Sequence, residues 1–338
     1  MPVETKTTCP YCGVGCGVIA TVNDDGIVSI RGDQDHPANF GRLCSKGSAL
    51  AETIDLEGRI FHPEINGKRA TWDEALDLVA SRFSDTIAEH GPDSVAFYVS
   101  GQLLTEDYYL ANKLMKGFIG SANIDTNSRL CMSSSVAGHR RAFGADTVPG
   151  TYEDMELADL VILTGSNLAW CHPVLYQRLA AAKAARPEMK VVVIDPRRTM
   201  SADIADMHLA IRPDGDVALF TGLLAHLSGS PAVDHVYVED HTVGFDAAMQ
   251  AVTEYSLPDI AEATGLTIAE LISFYELFER TQKTVTCYSQ GVNQSQSGTD
   301  KVNAIINCHL ATGRIGRPGM GPFSLTGQPN ACLLYTSD

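Results

Sequence analysis

Two hydrophobic rhythms run through this chain. From about residue 94 onward, short unbroken apolar runs alternate with longer stretches whose apolar residues recur every three or four positions. The runs at 94–100 (SVAFYVS), 160–163, 191–195, 208–211 and 285–288 predict strands, and the stretches 105–117 and 173–185 predict helices between them. Strands that are apolar throughout, without alternating polar positions, belong to a parallel sheet covered on both faces. Nearer the N-terminus the pattern differs. Residues 17–22 and 27–30 flank the turn Asp24-Asp25-Gly26, a hairpin signal. Thr71-Trp72-Asp73-Glu74 forms a capping box, and Trp72, Ala75, Leu76, Val79, Phe83 and Ile87 then fall on one helical face that ends near Gly91-Pro92. The expected fold is α/β: a small β-rich unit followed by doubly wound parallel-sheet domains, whose ligands bind beyond the carboxyl ends of the strands.

Composition narrows the function. The 338 residues are 44% apolar and 20% charged, with a formal charge of −16, which repels phosphate and argues against nucleic-acid binding. No apolar run approaches the length of a membrane span. The N-terminal residues show neither an apolar signal region nor a twin-arginine pair, so a cytoplasmic protein is expected. Nine cysteines in that setting read as ligand or buried thiols rather than disulfides.

Four of those cysteines stand apart. Cys9, Cys12 and Cys16 in CPYCGVGC, with Cys44 in RLCSKG, supply four soft thiolates that one loop and one return segment can bring to a point. A structural zinc site usually shows two C-x2-C pairs, whereas a single pair with a third cysteine close behind favours an iron–sulfur cluster. Cys131 lies in the small-residue stretch 127–135, where a helix is expected to begin. A thiol there deprotonates more readily, although the local sequence taken alone reads as a core cysteine. Cys171, Cys287 and Cys308 lie in apolar contexts and are expected in the core. The histidines show no metal-ligand spacing. The loops 164–167, 195–199 and 213–216 fall at strand ends and offer free amides, carboxylates and arginines to a phosphate or ribose, but none is a GxGxxG.

In this order the motifs resemble the molybdopterin oxidoreductase family, along nearly the whole chain. The resemblance implies a [4Fe-4S] cluster on Cys9, Cys12, Cys16 and Cys44, with Lys46 between cluster and pterin. It also implies a molybdenum bis(molybdopterin guanine dinucleotide) with Cys131 as thiolate ligand. Gln102 and Asn127 fall where the family contacts the cofactor. Gly165, Ser166, Asn167 and His172, then Asp195, Arg197 and Arg198, then Asp214 and Asp216, resemble its sites for one guanine dinucleotide. Gln290 to Gln294 and the run 321–330, with Gly327 and Gln328, resemble pterin and active-site loops.

Within the family the likeness is to the cytoplasmic assimilatory nitrate reductases. Met132 directly follows Cys131, where formate dehydrogenases carry histidine, and GPFSLTGQPNA resembles the nitrate-reducing members. The implied reaction is two-electron oxygen-atom transfer from nitrate, giving nitrite and water, with Met132 lining the substrate funnel. Single electrons arrive from a ferredoxin, a flavodoxin or an NADH-linked flavoprotein subunit. A cytoplasmic formate dehydrogenase, a non-catalytic electron-conducting subunit and a zinc-ribbon module are the alternatives. The expected organisation is a cluster domain at 1–58, the start of an α/β domain at 59–120 and a cofactor-binding α/β domain at 121–331. Residues 332–338 depart from the family pattern and read as a non-native tail on a chain about half the family's length, too short by itself to hold the complete cofactor.

Overall fold

The N-terminal strands β1 (Val3–Thr8), β2 (Gly17–Val22) and β3 (Val28–Gly32) form an antiparallel sheet in that order, in a computed structural model that describes residues 2–327, the side chains of Ser128 and Arg129 excepted. The register from Val3 opposite Val22 to Thr8 opposite Gly17 leaves the next residues facing each other at the sheet's open end, where the Cys9 N–H donates to the Cys16 carbonyl at 2.8 Å. Strand pairing alone thus closes the cysteine loop. β1 is polar and fully exposed, which is why the apolar pattern does not reveal it.

A two-residue hairpin, β4 (Glu64–Ile65) with β5 (Lys68–Arg69), leads to the helix Trp72–His90. Its capping box forms as the sequence predicts: Thr71 accepts from the Glu74 N–H and the Glu74 carboxylate accepts from the Thr71 N–H. The expected buried face does not. Trp72, Leu76 and Val79 are 64%, 58% and 53% exposed, because no described element covers them. β6 (Phe97–Val99) pairs in parallel with β7 (Ile124–Thr126) in a sheet of only two strands, so the strand expected to be buried at 94–100 is shorter and half open. These partners lie on either side of the boundary expected at 120/121. The helix Thr105–Asn112 continues as a π-helical segment, Lys113–Ile119.

Five parallel strands build the main sheet: β8 (Leu160–Thr164), β9 (Lys190–Ile194), β10 (Met207–Leu209), β11 (Thr284–Tyr288) and β12 (Gly321–Ser324), in the order β10-β9-β8-β11-β12. Each strand sends alternate apolar residues to opposite faces. Leu160, Ile162 and Val192 pack with Phe220, Leu223, Phe274 and Ile305 on one side. Val161, Leu163 and Val193 pack with Leu175 and Leu179 on the other, where Cys9, Cys16 and Val18 join the same core and seat the small sheet on the large one. Burying a side chain of this size contributes roughly 1.5–3 kcal/mol.

The strand order reverses between β8 and β11, the position at which such sheets open a crevice. Two glycines cross there. Gly165 has φ +54°, and a Cβ on it would stand 2.8 Å from Gly291, whose N–H donates to the Gly165 carbonyl at 3.0 Å. Only bare backbone fits at this crossing.

Candidate active site and metal centre

Cys9, Cys12, Cys16 and Cys44 line one pocket with Tyr11, Val14, Leu43, Gly47, Pro173 and Val174. The return segment is held by Asn39, fully buried, which accepts from the Gly17 N–H at 2.8 Å and donates to the carbonyls of Gly17 and Arg42 at 3.0 and 2.9 Å. Cys44 then caps the short helix Ser45–Ser48. Burial raises the thiols of Cys9 and Cys12 above their ordinary range, and pushes Cys16 up to about 12, with Cys12 and Cys9 adding to the effect. The Lys46 ammonium acts in the opposite direction on Cys9 and Cys12. Among the described residues no three His, Cys, Asp or Glu side chains stand together as ligands of a single metal ion. Thiolates on one tetrahedral zinc lie within about 4 Å of one another, given bonds near 2.3 Å. The four thiols line one pocket, and their spacing along the chain, one C-x2-C pair with a third cysteine close behind, favours a cluster over zinc.

The second feature lies at the carboxyl ends of the main sheet. Thr164 Oγ1, Ser166 Oγ, Thr199 Oγ1, Asn293 Oδ1 and His172 Nδ1 are buried side-chain atoms with no hydrogen-bond partner, and they gather after β8, β9 and β11. His172 Nε2 lies 2.6 Å from the Thr326 carbonyl, which can only accept, so Nε2 carries the proton and Nδ1 presents a lone pair. Burial lowers the His172 pKa, and Lys46 lowers it further, so the ring is neutral. Unmet polar atoms under cover cost free energy unless a ligand meets them, and this set matches the many donors and acceptors of a pterin nucleotide. Nearby, Ser201 donates to Asn167 Oδ1 at 3.1 Å, and Asp195 Oδ1 accepts from the Arg197 N–H at 2.9 Å while Arg197 and Arg198 stand exposed. Asp214 and Asp216 are engaged otherwise: both pair with the buried Lys301, at 2.8 and 3.0 Å, and Asp216 is itself buried.

Cys131 occupies the first turn of the helix Ser128–Phe143. Its Sγ accepts from Gln294 Nε2 at 3.2 Å, and its carbonyl accepts from Asn293 Nδ2 at 3.2 Å. Met132 Sδ lies 3.4 Å from Asn293 Nδ2 and 3.7 Å from Gln290 Nε2. The Asn127 carbonyl receives the Cys131 N–H, and its side chain receives the Gly101 N–H at 2.5 Å. Gln102 lines a cleft of about 510 Å³ together with Cys9, Cys12, Gly13 and Gly15. A Cβ on Gly327 would sit 3.7 Å from Gln290 Nε2, which places that loop on the same site.

The Fe4S4 domain model of molybdopterin oxidoreductases matches residues 3–56, and the molybdopterin oxidoreductase model itself matches residues 59–336. The chain belongs to the molybdopterin oxidoreductase family. A nitrate reductase of Klebsiella oxytoca is 60% identical over 97% of this chain and 37% of its own length. A periplasmic nitrate reductase of Desulfovibrio desulfuricans is 40% identical over 97% of the chain and 45% of its own. Among solved structures, acetylene hydratase from Pelobacter acetylenicus superposes with a TM-score of 0.79 at 25% identity, over 91% of this chain and 43% of that one. The chain therefore spans less than half the length of these relatives. Its family carries a molybdopterin cofactor and a [4Fe-4S] cluster, and the orphaned polar atoms and convergent thiols fit both.

In this molybdopterin oxidoreductase, Cys131 and Met132 meet Gln290, Asn293 and Gln294, and Cys9, Cys12, Cys16 and Cys44 share one pocket. Cys171 is exposed rather than in the core, because the short helix Leu168–Cys171 buries Leu168 and turns its last residue outward. Gln328 and the segment 332–338 lie outside the described residues. Sequence reasoning did not single out Asn39, Asn293, Tyr152 or Arg178. Asn293 was visible only as part of QGVNQ, and the other three carry no local motif. No helix among the described residues is long and apolar enough to cross a membrane.

Proposed function

We propose that this chain belongs to a nitrate reductase of the assimilatory type, acting in the cytoplasm on nitrate with electrons from a ferredoxin, a flavodoxin or an NADH-linked flavoprotein subunit. The observation that carries the reading is the Cys131-Met132 pair set against Gln290, Asn293 and Gln294 at the sheet's switch point. The 60% identity to a nitrate reductase supports the substrate.

Molybdenum on two molybdopterin guanine dinucleotides supplies, when bound, the two-electron removal of oxygen from nitrate, with two protons, to give nitrite and water. The chain's own residues do the rest. Cys131 would offer its thiolate to the metal, and the Gln294 amide at 3.2 Å favours that anion and aims it. Met132, held by Asn293, would line the approach of nitrate with an uncharged wall. His172, Thr164, Ser166 and Thr199 would meet the polar rim of the pterin nucleotide, Asp195 its ribose or guanine, and Arg197 and Arg198 its phosphates. Asp214 and Asp216, paired with Lys301, would act by holding the strand end beside that nucleotide. Cys9, Cys12, Cys16 and Cys44 would hold the cluster, and Lys46 would lie on the electron path from it. Assay of the whole enzyme with reduced viologen and nitrate is expected to yield nitrite at many times the rate at which formate reduces the oxidised dye. Preference for formate would reverse the substrate reading.

A further inference from the structure

Tyr152 opens the short helix Tyr152–Leu157, yet its hydroxyl reaches the cysteine loop of the N-terminal domain. It lies 3.0 Å from the Gly13 carbonyl and 3.4 Å from that of Val14, the two residues that follow Cys12. Gly13 is held from its other side as well, since its N–H donates to the Gly327 carbonyl at 3.2 Å. The loop between Cys12 and Cys16 is thereby fixed from both directions by the domain that bears Cys131.

The phenol is itself fixed. Its ring meets Phe323 of β12 edge-on at 6.0 Å and lies 5.8 Å from the Arg178 guanidinium. Arg178 is fully buried. It grips Glu156 through two bonds of 2.7 and 2.9 Å and donates to the carbonyls of Pro37 and Ala38 at 2.8 and 2.9 Å. Arg178 thus docks the outer loop of the N-terminal domain, whereas the Tyr152 side chain enters between two of the cysteines.

We infer that Tyr152 is a positioning residue for the iron–sulfur centre, setting its reduction potential through the hydroxyl donated into the Cys12–Cys16 loop. This rests on the cluster reading of Cys9, Cys12, Cys16 and Cys44. An O–H dipole with its positive end toward that loop favours the cluster state carrying one more electron, and hydrogen bonds around the sulfurs are a principal control of such potentials. Removing the hydroxyl leaves two carbonyls short of a donor and withdraws that positive end.

The test is Tyr152→Phe in the whole protein purified anaerobically, with the cluster's midpoint read by EPR-monitored redox titration and its iron counted. The expected result is a midpoint below wild type with full iron content. Arg178→Lys, which weakens docking but spares the hydroxyl, is expected to leave the midpoint in place. An unshifted midpoint in Tyr152→Phe overturns the inference, as does loss of iron, which would make the residue a scaffold for the loop. The readout needs no nitrate, so it stands apart from the substrate reading. A wild-type protein without a reduced-cluster signal would overturn the cluster assignment and this inference together.

Discussion

Cys131 illustrates how little a single residue discloses about itself. Its neighbours Leu130 and Met132 describe a plain amphipathic start to a helix, and its function becomes visible only through Gln294 and Asn293, more than 160 positions away. The resemblance to a family supplied that link; the local physical chemistry could not. Cys131→Ser is expected to abolish turnover while leaving the cluster's absorption and EPR spectra unchanged, and a variant retaining most of its activity would remove Cys131 from the metal. His309 offers a test of another kind. Complete burial lowers its pKa to about 3, with the Arg314 charge contributing, and its Nε2 meets Thr286 Oγ1 at 2.8 Å. In the unfolded chain this imidazole takes up a proton near pH 6.5, whereas in the fold it stays neutral. Its contribution to stability is therefore complete above about pH 6.5 and is lost as the pH falls toward 3. Melting temperatures measured between pH 7 and 4.5 are expected to fall more steeply for the wild type than for His309→Gln.

Elements were legible in proportion to how much their own residues decide them. β8 and β9 are each apolar at four of five positions, and β11 is buried throughout although two of its five residues are threonine; a sheet buried on both faces favours that pattern. β12 is Gly-Pro-Phe-Ser, which reads as a loop; it becomes a strand by pairing with β11 in a register from Val285 opposite Gly321 to Tyr288 opposite Ser324. β1 stayed hidden for the opposite reason, being a polar edge whose partner, not its sequence, holds it. The carboxyl ends of the strands were legible as the ligand's place, but the Gly165–Gly291 crossing was not, since each glycine reads as an ordinary turn. Gly165→Ala is expected to destabilise the fold by on the order of 2 kcal/mol, through the left-handed backbone and the contact with Gly291. Urea unfolding measures this directly. Thr71→Ala tests the capping box and is expected to cost about 1 kcal/mol of helix stability.

At the scale of the molecule, the main sheet and the segment before it differ in how much apolar surface they cover. The main sheet buries both faces, yet Trp72, Leu76, Val79, Leu110, Leu114 and Phe118 leave apolar surface open over 72–118. The amphipathic pattern correctly located the helix Trp72–His90 and wrongly implied that its face was covered, because periodicity reports a preference for a partner, not the partner's presence. Open apolar area of this kind binds dyes and promotes association. The 338-residue chain is expected to raise the fluorescence of anilinonaphthalene sulfonate and to scatter light increasingly with concentration, and a monodisperse chain that ignores the dye would refute this. In the proposed function, electrons pass from the thiolate-held cluster to nitrate at the metal that Cys131 would hold. The direct test is to reduce the whole enzyme with dithionite, remove the excess and follow the cluster's EPR signal after adding nitrate. The signal is expected to vanish in the wild type, with nitrite formed, and to persist in Cys131→Ser. A reduced-cluster signal that survives nitrate in the wild-type enzyme would contradict the account.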